Sequence, residues 1–291
     1  MSKMKGAANI FETAMKSVFT FCGLLAVGFV ILITGFLIVS GVPAIREIGI
    51  TDFFFGTEWA STASEPKYGI LPFILTSVCG TLGAIVIGVP PGIMCAVFLA
   101  KMSRPCTAKT VRTAVDLLAG IPSVVYGFAG MIVVVPFVRE VFGLPDGATL
   151  FSAIIVLAIM ILPSVISVSE TAIRAVPKEY EEASLALGAT KTETVFKVIV
   201  PAAKSGILTS VVLGIGRAIG ESMAVMMVSG NVANMPELFT SVRFLTTAVA
   251  SEMSYSSGLQ REALFSIALV LFIFILIINL VLNFLIKRSV K

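Results

Sequence analysis

Arg217 and Glu221 are the residues of this sequence whose types and spacing point most clearly to chemistry. They lie four positions apart in an otherwise apolar stretch, Ser205 to Pro236. An arginine at the centre of a bilayer costs about 2.5 to 3.5 kcal/mol on insertion scales, so it must face a partner, a cavity or a substrate. Its guanidinium presents a planar fork of donors that matches phosphate oxygens. The pair therefore predicts an anion path, with Glu221 on the same helical face neutralising Arg217 when the site is empty.

Two further features could serve the same path. Ser222 adds a hydroxyl donor beside Glu221, although small polar residues inside helical bundles also simply pack helices. Pro122 removes a backbone hydrogen bond and predicts a kink. A full break there would instead aim free N–H groups near Ser123 at an anion. The Arg217–Glu221 pair also has a structural interpretation, as a buried ion pair that joins helices.

Other kinds of site find no support in the sequence. The four cysteines are scattered and histidine does not occur, so no metal site and no histidine proton relay are predicted. No glycine-rich loop followed by Lys and Ser or Thr is present to hold ATP. We therefore expect no cofactor and no enzymatic activity, and ATP-driven work would require a separate ATPase subunit.

The elements that must position these residues are membrane-spanning helices. About 20 apolar residues cross a bilayer core. Charge-free runs of at least that length recur five times, at Ser17–Ile45, Tyr68–Ala100, Leu117–Val138, Gly147–Ser169 and Ala263–Ile286. With the Arg217 segment they predict six transmembrane helices in an all-α integral membrane protein, in keeping with 57% hydrophobic and 13% charged residues.

Loop charge predicts the orientation of these spans in the cell membrane. Of the 21 lysines and arginines, 15 lie in the N-terminal segment, the second and fourth loops and the C-terminal tail. Since positive residues favour the cytoplasmic side, both termini are expected there. The net charge of +4 is then a topology signal, and no nucleic-acid partner is expected.

The fourth loop, about 35 residues long, is predicted to be an ordered helix-turn-helix. Helix formers follow Pro177, and Gly188 fits a C-terminal cap. Thr190 and Glu193 have the spacing of a capping box, which opens a second short helix that Pro201 is expected to end. This helix-turn-helix, residues 178–201, is called the bracket below. It could merely connect two spans, or it could dock another protein through a small-residue face.

The bracket also carries a family resemblance. Glu181-Glu182-Ala183, Gly188 five residues later, and Pro201 resemble the "EAA" loop of type I ABC importer permeases, with Val200 where that family usually has Leu. The resemblance implies that these residues form a coupling helix that docks to a cytoplasmic ABC ATPase dimer. It also implies that residues 68–286 are the permease domain. Residues 1–67 would then hold an N-terminal cytoplasmic segment, an extra helix and an external loop, and residues 287–291 a cytoplasmic tail.

Two longer motifs are similar to the PstC-type subunit of phosphate-specific permeases: Gly216–Val225, and Asp116–Gly127 with Asp116 where Glu is common. Asp116 is expected at a helix start, where it complements the helix dipole or contacts the ATPase. The resemblance implies a PstA-type second permease subunit and an extracytoplasmic phosphate-binding protein. The implied function is ATP-driven import of inorganic phosphate by alternating access.

Two alternatives remain at this stage. An ABC permease for sulfate, molybdate or another oxyanion has the same need for Arg217. An ion-coupled secondary transporter or channel would work without an ATPase, and the bracket argues against it.

Overall fold

The computed structural model describes the backbone of residues 2–290 and the side chains of residues 12–282, 284 and 288. Lys3, Lys5, Lys287 and Lys291, four of the charges used to predict orientation, lie outside the described side chains. Within the described range the chain is mostly helical, as predicted. A small antiparallel hairpin, β1 (Trp59–Ala60) with β2 (Lys67–Tyr68), follows the first span, and Trp59 pairs with Tyr68.

The helices are labelled in chain order: α1 Ser2–Ile48, α2 Ile50–Phe55, α3 Leu71–Val97, α4 Pro105–Gly120, α5 Ser123–Ala129, α6 Val135–Phe142, α7 Leu150–Arg174, α8 Lys178–Ala186, α9 Lys191–Thr194, α10 Val200–Ala202, α11 Lys204–Gly220, α12 Met223–Val228, α13 Leu245–Glu252 and α14 Gly258–Val290. Three π turns extend or join them: Phe98–Met102, Gly130–Val134 and Val195–Ile199.

Five helical segments of the described chain are long and apolar enough to cross a membrane. A sixth candidate results if Lys191–Ala202 and α11, which meet at a bend of 68°, are counted together as one broken span. The number agrees with the six predicted spans. The limits of the third differ, because the predicted start at Leu117 lies inside α4 and the span itself begins at Ser123.

The second loop is more ordered than predicted, because α4 occupies most of it. Pro105 is the first residue of this helix, a position where its missing N–H costs nothing. Asp116 therefore lies near the end of α4, and the prediction that it begins a helix was wrong. Four residues further on, the helix stops at Gly120.

α7 is the centre of the bundle, with α3 and α11 against it. Apolar burial does not drive helix association in lipid, so close packing through small residues must. Gly88 of α3 shows this, because a Cβ there would lie 2.8 Å from the carbonyl oxygen of Ala158. On the α11 side, the buried hydroxyls of Ser169 and Ser210 share a hydrogen bond of 2.7 Å. Together these contacts hold the segment that carries Arg217 against α7.

Candidate translocation site and coupling bracket

Two helices are broken beside Arg217. α4 and α5 are separated by Ile121 and Pro122, whose ψ angles of 127° and 143° are extended. Pro122 therefore breaks the helix, and the simple kink was wrong. The Tyr126 hydroxyl donates at 2.8 Å to the Leu118 carbonyl, which also accepts the Ile121 N–H at 3.2 Å, so α5 is tied to the last turn of α4. The second break separates α11 from α12 at Glu221, which is also extended.

The segments that follow the two breaks pack against each other. A Cβ at Gly127 of α5 would lie 2.7 Å from the Cα of Ala224 on α12, so only glycine permits this approach. Ala224 and Val225 are fully buried and belong to the same apolar cluster as α7. Close packing between Gly127 and Ala224, almost 100 positions apart in sequence, therefore holds the two breaks next to each other.

Arg217 lies three residues before the end of α11 and is partly buried. At 1.5 Å per residue it is about 20 Å along the helix from Lys204, well within the thickness of a bilayer. Its Nη1 donates to the Ser164 hydroxyl of α7 at 3.4 Å, a long hydrogen bond. Tyr126 of α5 packs against the buried cluster that includes Ala218, the residue after Arg217, and its hydroxyl is within range of the Arg217 charge. Arg217 therefore lies where α5, α7 and α11 meet.

Glu221 forms no salt bridge with Arg217, so the predicted ion pair was wrong. No carboxylate of the described residues lies within the 4.0 Å salt-bridge limit of Arg217. The i, i+4 rule applies to a continuous helix, whereas α11 ends at Gly220. The Glu221 carboxylate instead accepts the backbone N–H of Ala224 at 3.0 Å and caps α12. Its carbonyl oxygen accepts the Thr246 hydroxyl at 2.7 Å.

The two predicted serines lie at the two breaks. Ser123 is the first residue of α5 and Ser222 immediately precedes α12. Both are partly buried, and neither hydroxyl has a hydrogen-bond partner among the described residues. Ser123 is one helical turn before Tyr126, which interacts with Arg217. The structure therefore places free hydroxyl groups beside both breaks.

The bracket is built largely as predicted. Gly188 has a φ of 85°, in the left-handed region that favours glycine. Its N–H bonds to Leu185 and that of Ala189 to Ser184, which is the Schellman pattern of a helix C-terminus. Thr190 and Glu193 form the predicted capping box, and the Thr190 backbone N–H helps lower the pKa of the Glu193 carboxyl to about 2. Pro201, however, lies inside the second helix, which ends only after Ala202.

The two arms of the bracket are joined by a buried hydrogen bond of 2.9 Å between Ser184 and Thr194. This contact leaves the opposite surface of α8 open. Ala183 and Glu182 are exposed, and beyond them Leu187 is 89% exposed. An exposed apolar side chain on a rigid hairpin is a feature of docking surfaces. Ala183 is therefore accessible to a partner.

Two predicted coupling residues have other surroundings. Glu181 pairs with Lys101, at the end of α3, over 2.6 Å, so it links the bracket to the bundle. Asp116 is exposed on α4 and makes no hydrogen bond or salt bridge with the bracket within the described range. The structure thus brings Glu182, Ala183 and Gly188 to one hairpin, and leaves Asp116 apart from it.

Sequence reasoning missed a charged cluster at the same end of the bundle. The Glu170 side chain is only 7% exposed and pairs with both Arg112 and Arg174. Glu170 is the first residue after the fourth apolar run, so it lies just outside the predicted span. Its i, i+4 spacing to Arg174 was a usable signal, whereas the contact with Arg112, on α4, could not be read from the chain.

The sequence also has clear relatives. Residues 88–291 match the family model described as "Binding-protein-dependent transport system inner membrane component". The chain belongs to this family. The family comprises membrane permease subunits of ABC importers and not enzymes, in agreement with the sequence-based prediction.

Three curated relatives align over most of both chains. The "Probable ABC transporter permease protein YqgH" of Bacillus subtilis is 39% identical over 277 residues, 92% of this chain and 90% of the relative. The "Phosphate transport system permease protein PstC" of Pasteurella multocida is 34% identical over 259 residues, 82% and 80% of the two chains. A PstC of Haemophilus influenzae is also 34% identical, and it covers 81% of each chain.

Solved structures support the fold. An inward-facing form of the MetNI methionine ABC transporter matches with a TM-score of 0.58 and 20% identity, over 77% of this chain and 95% of that one. A bacterial alginate ABC transporter, in complex with a pentasaccharide-bound periplasmic protein, matches with a TM-score of 0.57 and 16% identity, over 92% and 94%. The architecture is therefore that of a type I ABC importer transmembrane domain.

Proposed function

We propose that this permease subunit moves inorganic phosphate inward through a passage beside the two helix breaks. Arg217 carries the proposal. It is a permanent positive charge at membrane depth, and no carboxylate of the described residues forms a salt bridge with it. A buried charge without a partner is strongly unfavourable, so the site is suited to an anion that supplies the missing charge. The guanidinium fork fits a phosphate oxygen pair.

The groups around Arg217 suit the same ligand. Ser123 and Ser222 offer hydroxyl donors that have no other hydrogen-bond partner among the described residues. Glu221 takes a different role from the one expected, because its carboxylate caps α12 and so keeps the second break in shape. We assign Arg217 to ligand contact, the two serines to additional hydrogen bonds, and Glu221 to positioning of Ser222. PstC relatives at 34% identity favour phosphate among the oxyanions.

The proposed partners follow from the bracket and the family. Glu182 and Ala183 of α8, and the exposed Leu187 that follows it, would contact a groove of one subunit of a cytoplasmic ABC ATPase dimer. Gly188 in the turn and Pro201 in the second helix would shape the hairpin that presents them. A PstA-type subunit would form the other half of the passage, and an extracytoplasmic phosphate-binding protein would deliver the ligand. Alternating access would then follow ATP binding and hydrolysis in the ATPase. For Asp116, which does not begin a helix, the remaining proposed role is a contact with the ATPase from α4.

Substrate identity is tested by uptake into liposomes that contain the assembled complex. Uptake of labelled phosphate is expected to depend on ATP and on the binding protein, whereas sulfate and molybdate should not accumulate. The control is the same complex without ATP. Transport of sulfate or molybdate in place of phosphate would assign the passage to that oxyanion. Membership of the ABC importer family already argues against an ion-coupled transporter or channel.

Orientation gives a second prediction, based on the bias of positive loop charge. In a cysteine-free variant, a cysteine at the exposed Ser64, between β1 and β2, should react with an impermeant thiol reagent added outside. A cysteine at the exposed Thr192 of the bracket should react only after the membrane is opened. The opposite labelling pattern would place the bracket outside the cell and overturn the proposed ATPase contact.

A further inference from the structure

The cytoplasmic ends of α3, α4 and α7 meet in a polar cluster that the translocation site does not use. It consists of the Leu99 carbonyl, Arg112, Glu170 and Arg174. The apolar side of the same junction is formed by Leu99, Ala108, Val115 and Ile166, all of them buried. Because the buried core fixes these helix ends side by side, the polar contacts between them have defined geometry.

A π turn frees the carbonyl group on which this cluster is built. At the end of α3 the Ser103 N–H bonds to the Phe98 carbonyl at 2.8 Å, five residues back. In an α-helix it would bond to Leu99, so the Leu99 carbonyl is left to side-chain donors, and the Ser103 hydroxyl donates to it at 3.3 Å. Arg174 of α7 donates to that oxygen at 2.8 Å. The π turn thus gives α7 a direct hydrogen bond to the end of α3.

Glu170 joins this contact to α4. Its carboxylate accepts from Arg174 Nε at 2.8 Å and also pairs with Arg112 of α4. With the Glu170 side chain 7% exposed, these bonds lie away from bulk water, where charge-assisted hydrogen bonds are strong. The Arg112 side chain is 44% exposed, so it reaches in from the surface of α4. Arg112 therefore makes the ionic link between α4 and α7.

The other end of the cluster reaches the bracket. Lys101, in the π turn, pairs with Glu181 of α8 over 2.6 Å, and its side chain is only 16% exposed. α7 and α8 are also joined through a connection of three residues, Ala175 to Pro177. A movement of α8 would therefore move the π turn, through the Lys101–Glu181 pair, and Arg174, through the short connection to α7.

α4 continues the path to the translocation site. Beyond Arg112 the helix continues to Gly120, where it ends at the first helix break. There the Tyr126 hydroxyl bonds to the Leu118 carbonyl and interacts with the charge of Arg217. The contacts therefore run without a gap from the bracket to the break beside Arg217.

We propose that Arg112 and Glu170 are positioning residues that make α4 follow the movement of the bracket, and so couple the first helix break to the ATPase. This inference rests on the proposed ATP-driven import, but it does not depend on which oxyanion is carried. Arg112 is the informative position, since a surface side chain can be changed without leaving a buried charge unpaired: Glu170 keeps Arg174.

The test follows α4 and the bracket separately in the assembled complex in lipid. Spin labels on Thr113 of α4 and on Thr192 of the bracket are each paired with a label on Thr51 of α2, and both distances are measured without nucleotide and with ATP bound. These three positions are exposed. The variants are Arg112→Gln and Arg112→Lys, and the matched control is Lys109→Gln, which removes the same charge one turn away on α4.

In the unaltered complex both distances are expected to change with ATP. In Arg112→Gln the Thr51–Thr192 distance should still change with ATP, whereas the Thr51–Thr113 distance should stay the same. The number of anions carried per ATP should fall about tenfold, the effect of one charge-assisted hydrogen bond. Arg112→Lys should restore part of both effects, and Lys109→Gln should match the unaltered complex.

A Thr113 distance that follows ATP equally in Arg112→Gln and in the control would overturn the proposal. So would an unaltered complex in which α4 stays still while the bracket moves. Because the distances are read without any transported ion, failure to carry phosphate would count against the proposed substrate and leave this test intact.

Discussion

Replacing Arg217 with Gln is expected to lower phosphate uptake about 100-fold, which corresponds to about 3 kcal/mol. The change removes a positive charge beside the two breaks that forms no salt bridge with the described residues. Arg217→Lys keeps the charge but loses the planar fork, so uptake should fall about tenfold. The measurement is initial uptake of labelled phosphate by liposomes that contain the assembled complex, with ATP hydrolysis measured in parallel.

Arg139→Gln is the matched control, because Arg139 is an exposed arginine on α6, away from the breaks. If Arg217 were purely structural, Arg217→Met should be tolerated, since the change would remove only the 3.4 Å bond to Ser164. An assembled Arg217→Met complex with normal uptake would therefore refute the site. Retained ATP hydrolysis with no uptake would support it.

Replacing Gly188 with Val is expected to separate the permease from its ATPase. A φ of 85° is accessible to glycine but strained for a β-branched residue, at a cost of about 1 to 3 kcal/mol. No atom beyond its chain neighbours lies within 4 Å of a Cβ built at Gly188, so the effect comes from the backbone and not from a clash. The turn would reopen, α8 would change its angle to α9, and affinity for the ATPase should fall at least about tenfold.

Gly188→Asn is the matched control, because asparagine tolerates the left-handed conformation. It should bind the ATPase nearly as well as the unaltered chain in co-purification from lipid nanodiscs. Ala183→Asp tests the same surface without straining the backbone, since Ala183 is exposed. Normal ATPase binding and transport by both Gly188→Val and Ala183→Asp would reduce the bracket to a simple connector between spans.

Local signals explain why so much of the fold could be predicted. A transmembrane helix satisfies its own backbone hydrogen bonds, so a charge-free run of sufficient length is enough to identify it. The bracket was predictable for the same reason. Gly188 and the Thr190–Glu193 capping box act within four residues of themselves, and the structure confirms both. The ABC permease family could likewise be predicted, since its motifs are continuous in sequence.

Continuity along the chain also misled the prediction at Glu221. Its spacing from Arg217 indicates an ion pair only if the helix continues, and α11 stops between them. The break is stabilised by contacts from distant parts of the chain: Thr246 bonds to the Glu221 carbonyl, and Gly127 admits Ala224. No pattern near residue 217 contains that information.

The sequence by itself therefore determined the membrane spans, the bracket and the presence of a membrane-depth arginine. Only the tertiary structure decided what surrounds that arginine: among the described residues, a single long bond to Ser164, two broken helices and no salt bridge to a carboxylate. It also decided that Glu170 pairs with Arg112, 58 residues away. The physical reason is that helix formation depends on neighbours in sequence, whereas the partner of a buried charge depends on which helices pack together.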